Sequence, residues 1–95
     1  MSQGKNYVVY ILECRDQTLY TGVTTDLERR LRQHRAGIGA KYTRGRSPLK
    51  LRLVEAGKTR SEALRLEREI KEMTRQQKMR LIAERGLAVE EAEKF

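Results

Sequence analysis

The chain has no tryptophan and only one residue each of cysteine, proline, histidine and phenylalanine. Each scarcity excludes something. With Cys14 alone there is no disulfide framework and no thiolate zinc site, and a reducing compartment is expected. Cys14 falls in a strand-like run, where a small buried hydrophobe is its simplest role. With His34 alone there is no metal site built on a histidine pair, and no Ser-His-Asp pattern stands out. Walker A and Gly-x-Gly-x-x-Gly patterns are missing too. No apolar run approaches membrane-spanning length, and Met1 to Asn6 lacks the apolar stretch of a signal peptide. The expected location is therefore the cytoplasm, with no membrane among the partners.

Charge is plentiful instead. Charged residues make up 36% of the 95, and the formal net charge is +8 with a pI near 10.1. The excess is concentrated: eleven Lys and Arg face only Asp26, Glu28 and Glu55 between positions 26 and 60. A basic middle in a small domain favours a phosphate-rich partner, most often nucleic acid, although charge alone reports attraction and not function. Hydrophobic residues are 38% and recur periodically, which argues for a folded chain. Its length fits one domain, expected over residues 1–83, whose core is small because such a chain buries only about 60–65% of its unfolded surface. Residues 84–95 read as an acidic, partly mobile tail.

Tyr7 to Leu12 is an unbroken apolar run, as in a strand covered on both faces. Arg15 to Thr18 is polar and turn-like, and Leu19 to Thr24 reads as a second strand, giving a β-hairpin. Thr25 with Glu28 forms a capping box for a helix from about Asp26 to Arg35, ended by Gly37. On that helix Arg30 and His34 flank the Leu27–Leu31 stripe, while Arg29 and Arg32 face water. Gly37 to Pro48 is a basic loop. Leu49 to Val54 then alternates leucines with Lys50 and Arg52, the pattern of a strand with a basic outer face. Thr59 with Glu62, and Thr74 with Gln77, announce two more helices. The first carries the stripe Ala63, Leu66, Ile70, Met73.

Glu67 lies inside that stripe. A carboxylate buried without a partner is costly, so it is paired or given a metal. Arg65, Lys71 or Arg30 could pair with it. A lone carboxylate also suits Mg²⁺, which keeps several waters and takes substrate phosphate as ligand. Arg30 can stabilise charge building on a phosphate, or merely cover Leu27 with its stem. His34 can orient a phosphate or a water, or serve as an ordinary capping or surface histidine. Tyr10 and Tyr20 lie on adjacent strands. A phenol is a poor base at neutral pH until a cation lowers its pKa; otherwise both rings belong to the core. Lys41, Arg44 and Arg46 read as phosphate contacts, with Tyr42 between them able to stack on a base. A solvated basic loop is the alternative.

Taken in order, these residues resemble the GIY-YIG nuclease superfamily over roughly Tyr7 to Ile82. Val8-Val9-Tyr10 stands for its first motif and Tyr20-Thr21-Gly22 for its second. Thr24 to Leu31 resembles the family helix, whose arginine falls on Arg30. His34 matches a histidine found in many members, and Ala63 to Lys71 resembles the helix whose metal-binding glutamate falls on Glu67. The chain is most similar to the small stand-alone bacterial branch. The resemblance implies an α+β fold, a three-stranded antiparallel sheet flanked by helices, and hydrolysis of a phosphodiester with one divalent metal, Mg²⁺ or Mn²⁺. It implies that Tyr10 acts on the attacking water, that Glu67 holds the metal, and that Arg30, Tyr20 and His34 orient the phosphate. Three departures stand out: Val8 replaces the glycine, Thr21 replaces the isoleucine, and the asparagine that larger members carry late in the module is missing. A module with few base-reading side chains implies weak sequence preference, and targeting by a protein partner. A module that binds nucleic acid without cleaving it remains the alternative.

Overall fold

The computed structural model describes residues 4–86 and 93–94. The elements run β1 (Tyr7–Glu13), β2 (Leu19–Thr24), α1 (Leu27–Arg35), a single 3₁₀ turn (Lys41–Thr43), β3 (Lys50–Lys58), α2 (Arg60–Lys71), α3 (Arg75–Arg85) and a two-residue β4 (Glu93–Lys94). The fold is α+β: three long antiparallel strands in the order β2-β1-β3, with β4 beside the start of β3. Helix α3 includes Glu84 and Arg85, and apart from β4 the expected acidic tail lies outside the described residues.

β1 is central, and its continuous apolar run follows from that position. Val9, Tyr10, Ile11 and Leu12 are all fully buried. Alternate side chains enter two cores. Val9 and Ile11 pack with Leu53, Ala63, Ile70 and Ile82, under α2 and α3. Tyr10, Leu12 and Cys14 pack with Leu31, Leu49 and Leu51, under α1. Truncating any of the large members to alanine is expected to cost about 2–5 kcal/mol.

Two local expectations are corrected. α1 is capped by Asp26, whose carboxylate accepts from Arg29 N at 3.1 Å, and not by Thr25. Thr24 supplies the reason: its hydroxyl oxygen accepts from Asp26 N at 3.0 Å and so fixes Asp26 at the helix entrance. On β3, Arg52 does not face water. The β1–β3 register shifts between Ile11–Leu53 and Leu12–Leu51, so Leu51 and Leu53 enter opposite cores. Arg52, between them, is turned inward, where it is 7% exposed and paired with Glu13. The capping boxes at Thr59–Glu62 and Thr74–Gln77 are both formed.

Candidate active site

The site forms where β1, β2 and α1 meet the loop that follows α1. In the β1–β2 ladder Tyr10 stands opposite Gly22. A Cβ at Gly22 would lie 2.5 Å from the Tyr10 hydroxyl and 2.6 Å from its Cζ, so the ring crosses the space that only glycine leaves. That crossing carries the hydroxyl to His34 Nε2, 2.9 Å away. Tyr20 completes a triangle of rings. Its centroid is 6.3 Å from Tyr10 and 5.5 Å from His34, and His34 meets both tyrosines edge-on.

The α1 spacing delivers Arg30 and His34 to this triangle one turn apart. Arg30 is half-buried; its guanidinium interacts with the hydroxyls of both Tyr10 and Tyr20 and donates to Gln33 Oε1 at 2.9 Å. His34 is 1% exposed. Burial, and then the charge of Arg30, hold its pKa down at about 4, so the ring is neutral at pH 7. Burial, and then Tyr20, push the Tyr10 phenol up to about 12 against the opposing pull of Arg30. Both groups are therefore uncharged at rest.

The loop is part of the site. His34 Nδ1 lies 2.9 Å from Thr43 Oγ1, which in turn donates to the Ala40 carbonyl at 2.9 Å. Gly39 lets the chain pass over the imidazole, since a Cβ there would sit 2.5 Å from Nδ1. Neither Thr43 nor Gly39 stands out in the sequence. The hydroxyl was masked by its basic neighbours, and only the fold brings it to a histidine nine residues away.

The four loop residues expected on nucleic acid divide in two. Tyr42 stacks on Tyr20, with centroids 5.9 Å apart and planes at 28°, and the Arg46 guanidinium carbon lies 4.4 Å from its ring centroid. Arg46 also pairs with Asp16 at 2.6 Å. These two fasten the loop to the hairpin. Lys41 and Arg44 are exposed and engage no acid among the described residues.

Glu67 comes from a different element, α2. Its side chain is 23% exposed and pairs with Lys71 at 3.2 Å, one of the bland partners that the sequence offered. It sits on α2, between Ala63 and Ile70, and α2 packs chiefly against β2 and β1. Among the described residues no three His, Cys, Asp or Glu gather around a common point. Any metal here would rest on one accessible carboxylate, a donor set that suits hydrated Mg²⁺ completed by water and phosphate and suits no tightly caged ion.

Residues 6–80 match the family model described as the GIY-YIG catalytic domain. A UPF0213 protein of Haloquadratum walsbyi is 58% identical over 78 residues, covering 82% of this chain and 88% of its own. Another, from Clostridium perfringens, is 49% identical and covers 94% and 95%. Similar sequences thus occur in archaea as well as in bacteria. Two solution NMR structures are also similar. The UPF0213 protein of Bacillus halodurans shares 48% identity with a TM-score of 0.58, covering 84% of this chain and 85% of that one. A protein from E. faecalis shares 41% identity with a TM-score of 0.60, covering 87% and 88%. Among the described residues no helix is long and apolar enough to cross a membrane.

Proposed function

The chain belongs to the GIY-YIG catalytic domain family, and we propose that it is a divalent-metal-dependent endonuclease that hydrolyses phosphodiester bonds in nucleic acid, DNA before RNA, with little sequence preference. The observation that carries this reading is the convergence of Tyr10, Tyr20, Arg30 and His34. They come from three elements and meet in one partly buried cluster with a single cation in it. A cation fixed beside two phenols is suited to a phosphate whose charge rises in the transition state. Tyr10 would orient the water that attacks that phosphate. Lys41 and Arg44 extend the basic surface and would position the backbone without reading bases.

Glu67 would hold Mg²⁺ or Mn²⁺ through water and substrate phosphate. The metal would supply Lewis-acid stabilisation of the phosphoryl oxygens. The protein would act in the cytoplasm, with targeting to particular DNA structures supplied by a partner.

A second reading has one observation in its favour. Glu67 is engaged by Lys71, and a module that keeps this pair closed would bind nucleic acid and cleave it poorly. Nicking of supercoiled plasmid and of branched DNA with Mg²⁺ or Mn²⁺ separates the two. The nuclease reading expects cleavage by the wild type that Arg30→Ala and Glu67→Ala both abolish. Cleavage that survives Glu67→Ala would remove that residue from the site. Salt-dependent binding with no cleavage on any substrate would favour the binding module.

A further inference from the structure

We propose that Thr43 is a positioning residue of this site: it holds His34 in the tautomer protonated on Nδ1, so that Nε2 is left to accept the Tyr10 hydroxyl hydrogen. The catalytic consequence rests on the nuclease reading; the tautomer does not.

The direction of the chain follows from counting hydrogens. Thr43 Oγ1 is 2.9 Å from the Ala40 carbonyl oxygen and 2.9 Å from His34 Nδ1. A carbonyl has no hydrogen to give, so the close approach of these two oxygens is attractive only with the threonine hydrogen between them. Thr43 then offers Nδ1 a lone pair, and Nδ1 must carry a hydrogen. A neutral imidazole has only one N–H, which leaves Nε2 bare. The 2.9 Å contact at Nε2 is therefore the Tyr10 phenol donating. Arg30, a donor only, faces a Tyr10 oxygen that still has lone pairs to accept with. The donors thus run in one direction, from Tyr10 through His34 and Thr43 to Ala40. In the opposite tautomer Thr43 would donate to Nδ1 and press a bare oxygen against the Ala40 oxygen.

Thr43 is held well enough to impose this choice. It is 2% exposed, its N–H donates to Ala40 O at 3.0 Å, and Gly39 lets the loop close on the ring. In the proposed reaction the water oxygen bonds to phosphorus as its proton passes to Tyr10 Oη. The Tyr10 hydrogen passes to His34 Nε2. The bond from phosphorus to the leaving oxygen breaks, and its electron pair stays on that oxygen. His34 ends as an imidazolium whose Nδ1–H still rests on Thr43. A phosphate at Arg30 would offset the charge that, after burial, holds His34 a weak base.

Because His34 is the only histidine, long-range ¹H–¹⁵N NMR of the whole chain reads one imidazole. At pH 7 the wild type and Thr43→Ser are expected to show protonated Nδ1 and bare Nε2, and Thr43→Val a shift toward protonated Nε2. A wild type protonated on Nε2 overturns the proposal, and so does an unchanged tautomer in Thr43→Val, or in Thr43→Ala should the valine variant not fold. In plasmid nicking, Thr43→Val is expected to lower kcat roughly 10–100-fold, the scale seen for groups that orient metal-ligating histidines, with KM for DNA unchanged and activity restored in Thr43→Ser. A valine variant that nicks at the wild-type rate also overturns it. A wild type with the expected tautomer that cleaves nothing sinks the nuclease reading and leaves the tautomer assignment standing.

Discussion

Thr21 is the one buried side-chain polar atom without a hydrogen-bond partner among the described residues, and replacing it with valine is expected to stabilise the protein. The residue is 3% exposed. It pairs across the ladder with Ile11, on the face that packs against Leu53, Ala63 and Ile70. A hydroxyl stripped of water there with nothing to bond costs about 1–3 kcal/mol. Valine keeps the shape, removes the penalty and suits a strand. The net gain should be about 1–2 kcal/mol. For a domain of this size each kcal/mol moves Tm by roughly 4–8 °C. Urea denaturation is the assay, and the midpoint should rise with the slope unchanged. A midpoint that stays put or falls would show that the hydroxyl has a partner, and the reasoning would fail. The position is also where the second motif departs from its family pattern, so that departure is expected to carry a cost in stability.

His34 prefers to be neutral when folded, with a pKa near 4 against an ordinary 6.5. Its contribution is complete above pH 6.5 and is lost as pH falls toward 4, by about 3 kcal/mol at most; denaturation midpoints measured across that window should slope in the wild type and flatten in His34→Gln. Gly22→Ala puts a Cβ 2.5 Å from the Tyr10 hydroxyl, so it should cost about 1–3 kcal/mol through overpacking and abolish nicking; a variant as stable as the wild type would refute the close approach. Replacing Lys41 and Arg44 together with alanine should weaken DNA binding and reduce the log–log salt slope by about 2, without changing stability. Arg46→Ala should instead lower thermal stability, by about 1 kcal/mol at most, because Arg46 ties Asp16 and Tyr42 together; a salt slope that falls as it does for Lys41 would return Arg46 to the phosphate contacts.

What the sequence made legible was local. Runs and caps act over a few residues, so the hairpin and the Thr59 and Thr74 boxes could be read directly. The cap of α1 was missed by one position because Thr24, Thr25 and Asp26 can all bond a neighbouring N–H, and only the strand end decides which does. Arg52 was misread for a longer-range reason. An alternating pattern assumes an unbroken ladder, and the register shift against β1 turns Arg52 inward toward Glu13. The helix period put Arg30 and His34 on the correct face. It could not reveal that His34 would be sealed in, since the sealing comes from Gly39 and Thr43. Glu67 shows the opposite limit: its place in the apolar stripe was evident, but an accessible carboxylate paired with Lys71 is less isolated than the stripe implied.

The basic loop joins these observations. Read as a charged tract it should be solvated, yet it is fastened to the rest of the molecule at three places: Thr43 to His34, Tyr42 to Tyr20, and Arg46 to Asp16. Two of those anchors, His34 and Tyr20, belong to the proposed active site. Lys41 and Arg44 therefore project from a segment whose position is set by the same side chains that would handle the phosphate. Phosphate contacts carry no sequence information but do fix register, and they do so only if their own positions are fixed. In the proposed nuclease, a module with few base-reading groups would obtain its alignment on the backbone from the anchoring of this loop. Loosening an anchor and removing a cation should consequently differ in kind. The first lowers cleavage more than binding; the second lowers binding and its salt dependence together.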